Sequence, residues 1–248
     1  MEEIIMPTGV IINALATFLG GIFGALGGHL FSEDFKDKIN MIFGACYMGM
    51  GIYAIAPMKN MPAVIFSVII GTAFGLWIHL GDRIDSGARL MQKGISKIIH
   101  TSTDMPEKEF TATLVTIIVL FCASGTGIYG ALTDGMTGDA TILISKSILD
   151  FFTAAIFAIN LGYVVAMIAV PQFIILFILF LLAGLIFPLT TPTMVYDFKA
   201  AGGFLMLATG FRMVKVKMFP TADMIPAMIL VMPVSWAWVN WIAPLLAR

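Results

Sequence analysis

The stretch GTGIYGALTDGMTGDATILISKSILD, residues 125–150, breaks the apolar texture of this chain with five glycines, three aspartates and a lysine. On either side the sequence is nearly uncharged, and the run 151–196 holds no charged residue at all. Whether residues 125–150 are a loop between apolar helices or polar residues carried into the interior decides how the rest is read.

Composition supplies the surroundings. Of 248 residues, 59% are hydrophobic and 12% charged, with a mean hydropathy of +0.97. A soluble fold of this length has too little interior for so much apolar surface. The chain therefore reads as an all-α polytopic membrane protein forming a single transmembrane domain over residues 1–248. A net charge of −1 offers nothing to a nucleic acid. Cys46 and Cys122 lie in apolar runs and read as buried small hydrophobes. The acidic start MEEIIMPTG does not look like a cleavable signal, so the first apolar run is taken as a span.

About eight segments approach the roughly 20 apolar residues that a span requires. They are 7–31, 39–57, 61–80, 110–132, 142–168, 171–190, 199–214 and 224–246, with Pro171-Gln172 as the expected break in the long uncharged run. Counting Lys and Arg in the loops gives ten on one side against four on the other. The richer side is cytoplasmic by the positive-inside rule, which places both termini outside. Residues 132–141 then lie on the outer side. Segment 81–109 sets Ile84, Ala88, Met91, Ile95 and Ile98 on one helical face and charges on the rest. It reads as an amphipathic helix on the cytoplasmic membrane surface.

The chain also echoes itself. NMPAVI at 60–65 resembles MIPAMI at 224–229, and the same offset of 164 pairs Trp77 with Trp241. An offset of 159 pairs Gly44 and Gly51 with Gly203 and Gly210, and Asn13 with Gln172. Spans 1–3 (about 5–80) then repeat as spans 6–8 (about 170–247), flanking the central spans in 110–168. Five spans separate the starts of the two units, so the repeat is inverted, the architecture of many secondary transporters.

Lys146 and Asp150 are four apart and share a helix face with Thr153, Phe157 and Asn160. A charge within the bilayer costs about 2.5–3.5 kcal/mol or more. Lys146 can snorkel outward, whereas Asp150, two turns into its span, cannot. The pair reads either as a neutralised seat for the helix end or as an ion or proton site. The glycines of SGTGIYG (124–130) weaken a regular helix and can expose backbone groups to an ion, or serve close packing. TDGMTGD (133–139) reads as a turn, with Asp139 available to cap span 5. Asn13 requires a partner within its span, and Gln172 is its candidate mate in a shared polar site. Gly20, Gly24 and Gly28 form a packing stripe.

No soluble catalytic motif is present, and the three histidines form no ligand cluster. Tyr196-Asp197 and Gly138-Asp139 have the wrong order and spacing for an intramembrane aspartyl protease, so the chain is not read as an enzyme.

Three stretches carry a family resemblance: GVIINALATFLGG (9–21), LTDGMTGD followed by KSILD (132–139 and 146–150), and GGFLMLATGFRM followed by DMIPAMIL (202–213 and 223–230). Together they resemble DUF554, a family of uncharacterised prokaryotic inner-membrane proteins whose members are sometimes labelled as sodium channels or pumps. The central pattern maps onto Asp134, Gly135, Gly138, Asp139, Lys146, Ser147 and Asp150, and the N-terminal one onto Ile12, Asn13 and Ala14. The chain departs from the family in CASGTGIYG (122–130), where more apolar residues are expected. The resemblance implies a multi-pass protein of the prokaryotic cytoplasmic membrane with an unassigned transport role.

The resulting expectation is a transporter or channel for a small solute or cation, driven by an ion gradient if active. Asn13, Gly125, Thr126, Gly127, Lys146, Ser147, Asp150, Thr153 and Asn160 are its site, with Asp134, Asp139 and Gln172 as secondary candidates. No cofactor is called for beyond a bound monovalent cation. The lipid bilayer is the expected surrounding partner, and the glycine-rich spans suit a homodimer. The competing expectation is a scaffold or sensor acting through residues 81–109.

Overall fold

A computed structural model describes residues 6–27, 32–98 and 106–246. Gly28, His29, His100, both chain ends and residues 99–105 of segment 81–109 lie outside the described residues. Among the described residues the structure is helical throughout, with no strand. The helices are α1 (Thr8–Leu26), α2 (Glu33–Ile55), α3 (Met61–Trp77), α4 (Leu80–Ile98), α5 (Glu107–Cys122), α6 (Gly125–Thr137), α7 (Thr141–Leu161), α8 (Val164–Met167), α9 (Ala169–Ile186), α10 (Pro192–Met213), α11 (Ile225–Ala237) and α12 (Ala243–Leu246).

Five helical stretches among the described residues are long and apolar enough to cross a membrane: 8–26, 113–137, 141–161, 164–189 and 225–246. The bent pair α3–α4 makes a sixth if taken as one span. The apolar part of α2, Met41–Ile55, is shorter. Helix α10 is 22 residues long but carries Tyr196, Asp197, Lys199 and Arg212.

Several boundaries differ from expectation. The long uncharged run is broken at Gly162 (φ 72°), not at Pro171. Glycine is the residue that enters this left-handed backbone without cost. Pro171 sits in the first turn of α9, where a missing N–H removes no intrahelical bond. Helix α10 begins at Pro192, seven residues before the expected start, because Asp197 is held by protein donors. Residues 133–137 complete the last turn of α6, so the turn proper is Gly138–Ala140, with Gly138 left-handed at φ 70°.

Contacts gather the chain into two compact units. The first contains α1 and the helices from α4 to α9. Its tightest contact is α1 on α7. A β-carbon at Gly20 would lie 2.2 Å from the Phe151 carbonyl oxygen, and one at Gly24 2.0 Å from that of Ala155. The glycine stripe thus lets two backbones touch, as small residues do in membrane helix pairs. Because 20 meets 151 and 24 meets 155, the two helices run parallel. Helix α9 runs parallel to α6, with Gly127 against Leu176 and Gly135 against Phe180. A second core joins α4, α5, α7 and α8 through Ala88, Ile95, Leu114, Phe121, Ala158 and Val165. The amphipathic pattern read in 81–109 is present in α4: Ala88 and Ile95 of its apolar face pack in this core, and Asp82, Arg83, Asp85, Arg89, Lys93 and Lys97 are exposed.

The second unit holds the apolar part of α2 with α3 and α10–α12. Gly44 meets the Gly210 carbonyl oxygen and Gly51 that of Gly203, and each contact is reciprocated, so α2 and α10 are antiparallel. Gly71 on Ala227 and Gly75 on Asp223 make α3 and α11 antiparallel as well.

Glycine substitutions separate contact from propensity. Gly24→Ala is expected to destabilise by about 1–3 kcal/mol through overpacking. Gly49→Ala, where a β-carbon meets open space, is expected to be neutral or to gain up to about 1 kcal/mol. Thermal unfolding of the two variants in detergent compares them.

Candidate functional site

Helix α7 carries Lys146 and Asp150 on one face, and both are buried, with Lys146 at 0% exposure. Lys146 therefore does not snorkel; its ammonium donates directly to Asp150 Oδ2. The same oxygen accepts from Asn13 Nδ2 of α1 at 2.8 Å and from Gln172 Nε2 of α9 at 3.2 Å. Gln172 Nε2 also donates to Asn13 Oδ1 at 2.7 Å. Three helices distant in sequence thus deliver a lysine and two amides to one carboxylate oxygen. Their convergence rests on the glycine contact of α1 with α7 and on the core of Val10, Ala131, Leu143, Leu176 and Phe180.

A broken helix lies alongside. Helix α5 ends at Cys122 and α6 begins at Gly125, with Ser124 extended between them. Ser124 Oγ accepts the Gly127 N–H at 3.1 Å, the arrangement of an N-cap. The break precedes the glycines instead of lying among them. Gly125, Thr126 and Gly127 are buried, and a β-carbon on Gly127 would sit 3.4 Å from Lys146 Cε. Lys146 Nζ also lies 5.8 Å from the centroid of the Phe121 ring, within cation–π range.

Among the described residues, four buried side-chain polar atoms have no hydrogen-bond partner: Gln172 Oε1 and the hydroxyl oxygens of Thr17, Thr126 and Thr133. Helical threonines commonly satisfy themselves on the carbonyl four residues back, as Thr209 does at 2.9 Å. Thr17 lies one turn from Asn13 on the buried face of α1.

The other expected site residues divide. Ser147 is buried but donates to the Leu143 carbonyl at 2.6 Å and stays within its own helix. Thr153 is buried on α7, outside the hydrogen bonds of the cluster. Asn160 is exposed and ten residues beyond Asp150, about 15 Å along the helix, so it is not part of the cluster. Asp134 accepts the Gly9 N–H at 3.0 Å and caps α1 from another helix. Asp139 Oδ1 accepts the Thr141 N–H at 3.1 Å at the start of α7. No group of three or more His, Cys, Asp or Glu able to hold a metal occurs among the described residues.

One buried carboxylate escaped the sequence reading. Asp197 of α10, 0% exposed, accepts the N–H groups of Lys59 and Asn60 at 2.9 Å each. It also accepts Asn60 Nδ2 at 2.9 Å and Ser235 Oγ at 2.6 Å. It ties the start of α3 to α10 and α11. An aspartate closing the long uncharged run 151–196 was the available signal.

The model for Protein of unknown function (DUF554) matches residues 8–236. The chain belongs to the DUF554 family. Its match covers every member of the Asp150 cluster. A relative in Escherichia coli (strain K12), the Uncharacterized protein YqgA, is 44% identical over 238 residues, covering 96% of this chain and all of the relative. The Uncharacterized membrane protein YdfK of Bacillus subtilis (strain 168) is 24% identical over 226 residues, 90% of this chain and 93% of its own length. No solved structure matches. Apolar helices and a membrane-protein relative make this DUF554 chain a helical membrane protein.

Proposed function

We propose that this chain is an eight-span transporter or channel for a small solute or cation, driven by an ion gradient if active, with the Asp150 cluster as its site. The observation that carries the reading is the fully buried Lys146–Asp150 pair, held by amides from α1 and α9 beside a broken helix. Stability gives little reason to keep such a pair, because apolar replacements of similar volume are often neutral or stabilising. Ionisable groups at membrane depth characteristically mark ion and substrate pathways. The unmet oxygens of Thr17, Thr126 and Gln172 add unused polar capacity on the helices that supply or flank the cluster.

Helix directions support eight spans, taken as α1, α2, α3, α5–α6, α7, α8–α9, α10 and α11–α12. Spans separated by an even number must run parallel, and α1 with α7 and α6 with α9 do so. Spans separated by an odd number must run antiparallel, as α2 with α10 and α3 with α11 do.

The inverted repeat gains support from registry. At an offset of 159, buried Val10, Asn13, Thr17 and Gly24 fall on buried Ala169, Gln172, Leu176 and Ala183. At 164, buried Ala63, Val64, Ser67 and Gly71 fall on buried Ala227, Met228, Val231 and Ser235. The reciprocal Gly44–Gly210 and Gly51–Gly203 contacts are what a twofold relation between α2 and α10 of the two repeats requires. A scaffold acting through the apolar face of α4 is less well supported, since that face is already buried.

The test is a thermal-shift screen of purified protein against cations and small metabolites, followed by flux in proteoliposomes. A bound ligand is expected to raise the melting temperature of the wild type and to leave the double variant Lys146→Met/Asp150→Asn unmoved. Equal shifts in both proteins, or wild-type flux by the variant, would place the site elsewhere.

A further inference from the structure

We propose that Asn13 and Gln172 form a two-position amide switch on Asp150, exchanging roles between two conformations of α1 and α9. The inference rests on the transport reading and its inverted repeat. The two residues are mates at the repeat offset, both are 0% exposed, and they touch each other. Their hydrogen bonds are not equivalent. Asn13 uses both ends of its amide, donating to Asp150 at 2.8 Å and accepting from Gln172 at 2.7 Å. Gln172 donates twice, and its Oε1 is left without a partner.

Exchanging the two amides moves that deficit from Gln172 Oε1 to Asn13 Oδ1, so the two arrangements are equivalent in hydrogen bonding. Gln172 Nε2 becomes the close donor to Asp150, and Asn13 Nδ2 turns to Gln172 Oε1. The unmet oxygen is therefore the acceptor that the mirror arrangement would fill. Alternating access in inverted-repeat transporters moves one repeat against the other around the site, so mates in contact at the site are where such a movement is expected to be read. Asp150 keeps an amide donor in both states, while the helix that supplies the shorter bond changes. Asn13 and Gln172 are on this account positioning residues for Asp150.

The test uses full-length protein with Cys46→Ser and Cys122→Ala, spin-labelled at Ile11 and Leu185, which are exposed on α1 and α9. Distances are measured by double electron–electron resonance without added ligand. Two populations are expected. Asn13→Leu and Gln172→Leu are expected to shift their ratio in opposite directions, by about fivefold each, the equivalent of one hydrogen bond. The exchange variant Asn13→Gln/Gln172→Asn keeps all four amide atoms, so it guards against misfolding of the single variants, and it is expected to invert the ratio. Shifts in the same direction, or a ratio unchanged by the exchange, would overturn the switch. A failed ligand screen with opposite shifts would remove the transport reading and leave the switch standing.

Discussion

Lys146→Met is expected to destabilise the protein by about 3–5 kcal/mol, the cost of stranding one partner of a buried ion pair. Asp150 would retain its bonds from Asn13 and Gln172 but lose its only cationic partner in the cluster. Adding Asp150→Asn removes the stranded charge and should recover most of the loss, because the new amide can still accept from both neighbours. Unfolding of the two variants by heat or denaturant in detergent measures the difference. Equal stability of the single and double variants would mean that the pair is not coupled as described. The recovered double variant is also the proper control for function, since it separates loss of activity from loss of fold.

Asp197→Ala should be nearly as costly, by about 4 kcal/mol. It strands the N–H groups of Lys59 and Asn60 together with Asn60 Nδ2, at about 1–3 kcal/mol for each donor left unsatisfied in the interior. Unlike the Asp150 cluster, this carboxylate meets four neutral donors with no cationic side chain among them. Its role is to fasten helix ends. Ligand binding by Asp197→Asn should therefore be retained wherever the protein folds, which a thermal-shift titration would show. Loss of binding in a stable Asp197→Asn protein would bring this residue into the functional site.

The apolar pattern announced the helices because lipid-facing and buried positions are both hydrophobic, which makes spans long and conspicuous. The same property hid the boundaries. Between Asp150 and Asp197 no charge punctuates the chain, so only backbone chemistry could place the break, and Gly162 outweighed Pro171 there. The start of α10 was misplaced because Tyr196 and Asp197 look like residues outside a membrane, when in fact donors from α3 and α11 satisfy Asp197 within the protein.

Spacing alone gave the Lys146–Asp150 pair, since residues four apart on a helix are neighbours. Asn13 and Gln172 became candidates as polar residues in apolar segments, and the repeat offset linked them before any contact was known. Asn160, grouped with Lys146 and Asp150 by helix-face projection, is about 80° round the helix from Asp150, about 15 Å along the axis, and exposed. The Asp197 hub was not legible, because its partners Lys59 and Asn60 are 138 and 137 residues away. The α4 face was legible as amphipathic, but the pattern does not say whether lipid or protein covers it.

The central claim is that the Asp150 cluster opens to water during a transport cycle and is not a permanently sealed knot. Cys122 reports on this. It is 2% exposed and follows Phe121, whose ring lies 5.8 Å from Lys146 Nζ. The measurement is labelling of Cys122 in a Cys46→Ser protein by a charged methanethiosulfonate reagent, well below the melting temperature. The account predicts modification of folded protein at a rate that changes when a ligand from the thermal-shift screen is bound. Protection of Cys122 until the protein unfolds, with or without ligand, would contradict it.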